Sequence, residues 1–273
     1  MSPYDLTTLP ALKAWLGLAA GASPNDATLA ALITSASRAI LGALSRPGVL
    51  PQAYSETIDG ESQRIFLRHW PVTKIAALTL EGIAIPAATL GSGGYVNGYA
   101  LQPADSAPPG RPQAVDVFDF DICGARQNIA VSYTAGYSIS GEAQSVPGAT
   151  PWQVTANAPY GPWAANLGVA YSLGGAALTL VAATPSLGQY AVAGGVYTFS
   201  ALDAGAAVTL SYGYIPQDLA QAALELAAER FRASERIGLR SKSIGGQETI
   251  AYDISAMSAG VLALLQPYRR TIL

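Results

Sequence analysis

Charge is scarce in this sequence. Only 12% of its 273 residues are Asp, Glu, Lys or Arg, about half the roughly 25% usual in soluble domains. The net charge is −3 and no run of Lys or Arg is long enough to grip a phosphate backbone, which argues against a nucleic-acid-binding protein. Cysteine and histidine are nearly absent. Cys123 stands alone, so no disulfide can form within one chain. With His69 as the single histidine, a Cys/His zinc cluster within one chain is excluded too. Cys123 reads as a small packing residue near a strand end, and His69 as a strand-end residue packed near Trp70. No apolar run approaches the roughly 20 residues a membrane span needs. The first residues, MSPYDLTTLP, lack a basic stretch followed by an apolar one, so no signal peptide is expected.

Catalytic groupings are equally thin. A Ser/His/acid triad would have to use His69, and no nucleophile-elbow sequence is present. Asp116, Asp119 and Asp121 alternate across a strand and do not converge, so they read as a solvated strand rather than a metal site. Ser241-Lys242-Ser243-Ile244-Gly245-Gly246 lacks the spacing of a phosphate loop. No enzymatic activity and no cofactor are expected.

What is present is patterning. Two helices open the chain. Thr7 or Thr8 caps the first, Pro10 suits its first turn, and Leu12, Trp15 and Leu16 share a face. The second starts at Ser23-Pro24-Asn25-Asp26 in the manner of a capping box. It carries Leu29, Ile33, Ala36, Ile40 and Leu44 at helical spacing. From about residue 53 the period becomes two. Residues 54–58, a turn at Asp59-Gly60 and residues 64–67 predict a hairpin. Residues 74–80 and 83–85 predict another around Glu81-Gly82, and 115–121 pairs with 128–133. A Gly- and Pro-rich loop is expected over 91–112. Near the C-terminus, Pro216-Gln217-Asp218-Leu219 starts a long helix whose apolar face is mostly alanine. Asp253 or Ser255 caps a last helix ending near Leu265.

One stretch differs from its surroundings. Between Ser138 and Ile215 the only charged residues are Glu142 and Asp203. The strand ending Val131-Ser132-Tyr133-Thr134-Ala135-Gly136-Tyr137 is echoed by Val208-Thr209-Leu210-Ser211-Tyr212-Gly213-Tyr214. Short alternating segments between them predict strands at 177–181, 189–192 and 196–199. The expected organisation is therefore a core of residues 1–137 and 213–273 interrupted by an inserted all-β, sandwich-like module at 138–212. The class is α+β, a small helical core with short antiparallel strands plus that module. An insert whose ends lie together is tolerated by its host.

The ordered set of short motifs resembles the head–tail connector (adaptor, head-completion) proteins of tailed bacteriophages. The set begins with Tyr4-Asp5-Leu6-Thr7-Thr8-Leu9, Leu12-Lys13-Ala14-Trp15-Leu16, Ala36-Ser37-Arg38-Ala39-Ile40 and Phe66-Leu67-Arg68-His69-Trp70-Pro71-Val72. It continues with Val131 to Tyr137, Pro216-Gln217-Asp218-Leu219, Arg236-Ile237-Gly238, Ser241-Lys242-Ser243, Gly246-Gln247-Glu248-Thr249 and Pro267-Tyr268-Arg269-Arg270. The insert departs from the family pattern, in which the Ala-Gly-Tyr strand runs almost directly into the Pro-x-Asp-Leu helix.

The resemblance implies a structural virion subunit at the neck, assembled in the host cytoplasm. It would form a ring, commonly of twelve copies, beneath the portal protein. That ring would extend the DNA channel without binding DNA specifically, and would meet a tail-completion or tail-terminator protein; no membrane is involved. Within that picture the ring interface is expected at Arg240, Ser241, Lys242, Ser243, Gly245, Gly246, Gln247, Glu248 and Thr249. Portal docking is expected at Pro267, Tyr268, Arg269 and Arg270, since Tyr and Arg favour interface centres. Deleting residues 267–273 is expected to abolish docking and leave the subunit folded. An ordinary solvent hairpin at 240–249 and a frayed terminus stand as the plainer readings. Other functions remain open at this point: a tail-completion or capsid-decoration subunit, or a binding module whose insert recognises a glycan through Trp152, Tyr160, Trp163, Tyr171 and Tyr190. Those aromatics equally suit the module's own core.

Overall fold

The computed structural model describes residues 4–102, 113–122, 124–233, 241–244, 248–251 and 256–269. The chain is α+β, with helices and mainly antiparallel strands separated into two compact units. Met1–Gly48 and Pro216–Leu273 form one, and Val49–Ile215 the other. These borders fall at 48/49 and 215/216, not at the module edges expected from composition. The reason is continuity: the strands on either side of residue 137 belong to one β-rich body.

In the helical unit, α1 (Leu9–Leu16) is capped by Thr8, whose hydroxyl accepts the Ala11 N–H at 3.3 Å, and is closed by Gly17 at φ 71°. Gly17 stands where a left-handed residue is required. The second helix, α2 (Asp26–Ala43), receives no side-chain cap from Asn25. Its first turn is held instead through Asp26, whose Oδ1 accepts from Ser23 Oγ at 2.8 Å and lies 2.6 Å from Lys13 Nζ. Lys13 is buried and also donates to the Gly21 carbonyl at 2.6 Å. A lysine on a helix thus becomes the clamp between α1 and α2. Trp15, expected inward, is half exposed, while Leu12 and Lys13 take the inner face.

The third helix, α3 (Gln217–Ala233), packs against α1, α2 and α4 (Ala259–Leu265). Leu219, Ala220, Ala222, Ala223, Leu226, Ala227 and Ala228 are all buried, so the helix is covered on most of its circumference. Alanine permits such close approach from several sides, because helix axes can draw together where side chains are short. The cap of α4 is Ser258, whose hydroxyl accepts the Val261 N–H at 3.4 Å. The expected caps Asp253 and Ser255 lie outside the described residues.

The β unit begins with β1 (Gln52–Gly60), β2 (Arg64–Phe66), β3 (Val72–Leu80), β4 (Ile83–Ala84), β5 (Thr89–Gly91), β6 (Gly94–Val96), β7 (Gly98–Gln102), β8 (Ala114–Phe118) and β9 (Ala125–Ala135). One sheet has the order β1-β9-β3-β4, a second β2-β8-β7, and β5 pairs with β6. The expected hairpin at Asp59-Gly60 does not form. β1 pairs with β9, Tyr54 opposite Tyr133, whereas β2 pairs with β8. Likewise 115–121 and 128–133 go to different sheets. The expected Gly/Pro loop over 91–112 contains β6 and β7, and β5 ends at its first residue. The β3–β4 hairpin is as expected, with Glu81 and Gly82 at φ 52° and 83°. Both sheets bury one apolar cluster, including Ile65, Leu67, Leu78, Val115, Val131 and Tyr133.

The chain continues through Gly136 and Tyr137 into β10 (Ser138–Ser145), β11 (Gln153–Thr155), β12 (Trp163–Tyr171), β13 (Thr179–Leu180), β14 (Gln189–Ala193), β15 (Val196–Phe199) and β16 (Ala207–Tyr214). The sheet orders here are β10-β16-β12 and β11-β15-β14-β13. The three strands foreseen at 177–181, 189–192 and 196–199 correspond to β13, β14 and β15. Residues of both sheets share a second apolar cluster, with Val154, Val169, Tyr190, Tyr197, Phe199, Leu210 and Tyr212 buried in it. The echoed sequences meet where this stretch joins the rest of the unit. Tyr214 donates its N–H to the Tyr137 carbonyl at 3.2 Å, and their rings meet edge-on at 5.9 Å. Among the described residues, no helix is long and apolar enough to cross a membrane.

Candidate functional surfaces

The expected interface residues divide into two groups. Ser241, Lys242 and Ser243 lie on one strand of a two-stranded antiparallel ribbon, Ser241–Ile244, and Glu248 and Thr249 lie on the other, Glu248–Ala251. Ser243 stands opposite Thr249, and Ile244 opposite Glu248. Arg240, Gly245, Gly246, Gln247 and Arg270 lie outside the described residues, as does Cys123.

The C-terminal segment is built differently from the expectation. Pro267 and Arg269 are exposed, but Tyr268 is 2% exposed and its hydroxyl donates to Asp218 Oδ2 at 3.1 Å. Asp218 lies in the first turn of α3. The Tyr268 ring therefore anchors the helical unit and is not presented to a partner. Deleting 267–273 would remove part of that core, so folding would not be left intact.

The histidine occupies a polar knot in the β unit. His69 stacks on Tyr54 with ring centroids 3.9 Å apart, and its backbone N–H donates to the Tyr133 hydroxyl at 3.1 Å. Tyr133 in turn donates to Glu56 Oε1 at 2.8 Å. Burial, and then this bond to a carboxylate, push the Tyr133 phenol well above its ordinary value. The Glu56 side chain is only 8% exposed, and Arg68 Nε lies 3.3 Å from its Oε2. Glu56 and Arg68 are among the residues lining an open groove of about 460 Å³, with Ser55, Thr57, Thr79 and Ser132. The Glu56 carboxylate ties two strands and the loop bearing His69. Asp116 pairs with Arg64 through two bonds of 2.7 and 2.8 Å, and Asp119 accepts the Asn97 N–H at 2.8 Å. Among the described residues, no three His, Cys, Asp or Glu side chains are grouped to hold a metal ion.

The stretch from β10 to β16 spends both its carboxylates internally. Glu142 accepts from the Tyr212 hydroxyl, from Gln144 at 2.8 Å and from the Asn157 N–H at 3.1 Å. Asp203, 2% exposed, accepts from the Tyr171 hydroxyl and from the Gly188 N–H at 3.4 Å. Burial and then Glu142 raise the Tyr212 phenol, whereas at Tyr171 the bond to Asp203 is the leading cause. The aromatics that suggested a sugar face are mostly core. Tyr190 is buried, and Trp152, Trp163 and Tyr171 pack on the same cluster. Trp163 Nε1 donates to Tyr197 at 3.2 Å, and Asn166 donates to Tyr190 at 2.8 Å. Tyr160 alone of that set is well exposed.

No protein-family model matches the chain, and no curated protein matches it.

Proposed function

We propose that this chain is a structural subunit of a tailed-phage neck, forming a ring beneath the portal that joins head to tail and extends the DNA channel. The observation that carries the reading is the ordered set of connector-like motifs, together with where the ends of the chain go. Tyr4 to Trp15, Ala36 to Ile40, Pro216 to Leu219 and Pro267 to Arg269 are remote in sequence, yet all fall in one helical unit. A core assembled from both ends of a chain tolerates added chain between them, and within that intervening β unit we read 138–212 as an inserted module, sandwich-like, with its own apolar cluster.

Low charge supports the same reading. Obligate interfaces are more apolar than ordinary surface, and a sequence with 12% charged residues desolvates cheaply. The partners are further copies of the chain in a ring, of twelve by family resemblance, the portal protein, and a tail-completion or tail-terminator protein. DNA passes without specific contacts. The place of action is the virion neck. Within this reading the ribbon around Ser241 to Thr249 bridges subunits, and Pro267 and Arg269 are the described docking residues of the C-terminal segment. A glycan-binding role is disfavoured because the module's aromatics are largely committed to its core.

Electron microscopy of the purified protein mixed with a candidate portal tests the proposal. An added ring of density with the portal's symmetry is the expected result. A folded protein that leaves an intact portal undecorated would transfer the assignment to a tail or capsid-decorating subunit.

A further inference from the structure

β1 is the outer strand of its sheet, and the register fixes which of its backbone groups face outward. Asn128 of β9 accepts the Glu81 N–H from the β3 side at 2.8 Å, and Gly136 donates to the Pro71 carbonyl at 2.8 Å. Backbone groups alternate in direction along an antiparallel strand. Even-numbered residues of β9 therefore bond toward β3 and odd-numbered ones toward β1. Ile129, Val131, Tyr133 and Ala135 meet Ile58, Glu56, Tyr54 and Gln52. On β1 this leaves the N–H and C=O of Ala53, Ser55 and Thr57 pointing outward. All of these residues are exposed, and among the described residues no backbone hydrogen bond engages them on that side.

Exposed edges are ordinarily short, bulged, or guarded by lysine or proline. Among the described residues the other edges of this unit follow that rule. β2, β4, β5, β6, β11 and β13 span two or three residues each. β10 and β12 are broken by register shifts, and β7 is bridged by Ala87. β1 runs in unbroken register from Gln52 to Ile58, with no lysine or proline. The one charge in that run, Glu56, turns inward to Tyr133 and Arg68. An open row of alternating donors and acceptors has one kind of complement, an extended main chain. A nucleic acid, a lipid surface or a sugar presents no such row.

One side chain beside the edge narrows the occupant further. Arg68 lines the groove together with Ser55 and Thr57. Its Nε lies 3.3 Å from Glu56 Oε2, its side chain is 66% exposed, and neither terminal nitrogen hydrogen-bonds to a described residue. A guanidinium is a planar fork of donors, so its free side matches a carboxylate. We infer that β1 takes an added strand, an extended segment of a partner protein. That segment is bonded through its main chain to Ala53, Ser55 and Thr57, and carries Asp or Glu against Arg68. A second copy of β1 fits less well. Its Glu56 is already bonded to Tyr133, and pairing about Ser55 brings two exposed Arg68 side chains to one joint. The site is separate from the Ser241 to Thr249 ribbon, and it stands whether or not the chain is a connector.

The test screens a displayed library of random short peptides against the full chain, and selected peptides are then synthesised for titration. The wild-type chain is compared with Ser55→Pro and Arg68→Gln. Proline removes one outward N–H, a change that an edge strand tolerates. Circular dichroism checks the fold, and Thr57→Pro replaces Ser55→Pro if that variant misfolds. The expected result is a set of peptides with Asp or Glu at a fixed position. Ser55→Pro should weaken their binding about tenfold or more, as should N-methylation of alternate peptide bonds in the ligand. Arg68→Gln should abolish the preference for an acid. Amide exchange at Ala53, Ser55 and Thr57 should slow on binding. A library that yields no binder would overturn the proposal. So would binding that a folded Ser55→Pro variant retains, or an acid preference that survives Arg68→Gln. Sedimentation of the chain alone supplies the remaining outcome: association that Ser55→Pro abolishes would give the edge to a second copy and overturn the partner strand.

Discussion

Lys13 illustrates how much one side chain decides here. It sits on a short helix, yet its ammonium is buried between Gly21 O and Asp26. Replacing it by Met keeps the packing of the stem but leaves Asp26 with only Ser23. Lys13→Met is expected to lower the melting temperature. The Asp26 carboxyl is held below its ordinary value of 3.8, chiefly by the bond from Lys13 and then by that from Ser23. A carboxylate with a depressed folded value stabilises above its ordinary value and loses that contribution as pH falls through the folded one. Melts between neutral and strongly acidic pH should show a loss below 3.8 that is smaller in Asp26→Asn. An identical acid profile in both would remove this role.

At the alkaline end the residues are Tyr133, Tyr212 and Tyr214. Burial comes first in raising each of them; Glu56 adds to it at Tyr133 and Glu142 at Tyr212. A phenol with a raised folded value stabilises fully below its ordinary value near 10 and loses that contribution as pH climbs past it. Tyrosinate absorbance followed with circular dichroism should show these phenols ionising only as the β unit unfolds. Smooth ionisation in a still-folded protein would contradict the burial described here.

At the scale of elements, period and punctuation were readable and long-range pairing was not. The helices followed from apolar spacing, and Glu81-Gly82 gave the β3–β4 turn because adjacent positive φ values suit a tight hairpin. The Asp59-Gly60 signal was a false one. Both residues belong to the end of β1, where its register shifts, and β1 finds its partner in β9, with Gln52 opposite Ala135. Local residues do not encode that choice; it comes from burying Tyr54, Val131 and Tyr133 together. The burial of Lys13 and Tyr268 was not legible for a related reason. A lysine on a helix and a tyrosine near a terminus usually face solvent, and only the converging helices draw them inward.

Gly136 is the element-scale position most open to test. It stands at φ 145° between β9 and β10, and an added Cβ would lie 2.4 Å from the backbone of Leu50 and Pro51. Neither neighbour can turn away as a side chain might. Gly136→Ala is expected to destabilise by about 2 kcal/mol or more, from strain and overlap together. Gly141, at φ 73° with open space around it, supplies the comparison: its alanine variant carries strain without overlap and should cost less. Chemical denaturation of the two variants checks the order.

At the scale of the whole molecule, the scarcity of charge that limits chemistry also shapes association. Coulombic attraction between surfaces weakens with salt, since the screening length falls from about 10 Å at 0.1 M to about 3 Å at 1 M. Contacts made by buried apolar area do not weaken in that way, and salts excluded from protein surface strengthen them. With no Lys or Arg from 138 to 215, a contact between copies made through that stretch has little Coulombic attraction to lose. Sedimentation of the full chain at low and at high salt should therefore give association constants that are equal, or stronger at high salt. Cooling should weaken the same contacts, because apolar burial loses its driving force toward low temperature. Dissociation by salt would instead place the contact on charged residues such as Arg38, Arg232 and Glu229, on the helices. Dissociation by cold, with indifference to salt, would place it on uncharged surface, of which the exposed Leu173, Leu187 and Leu202 are examples.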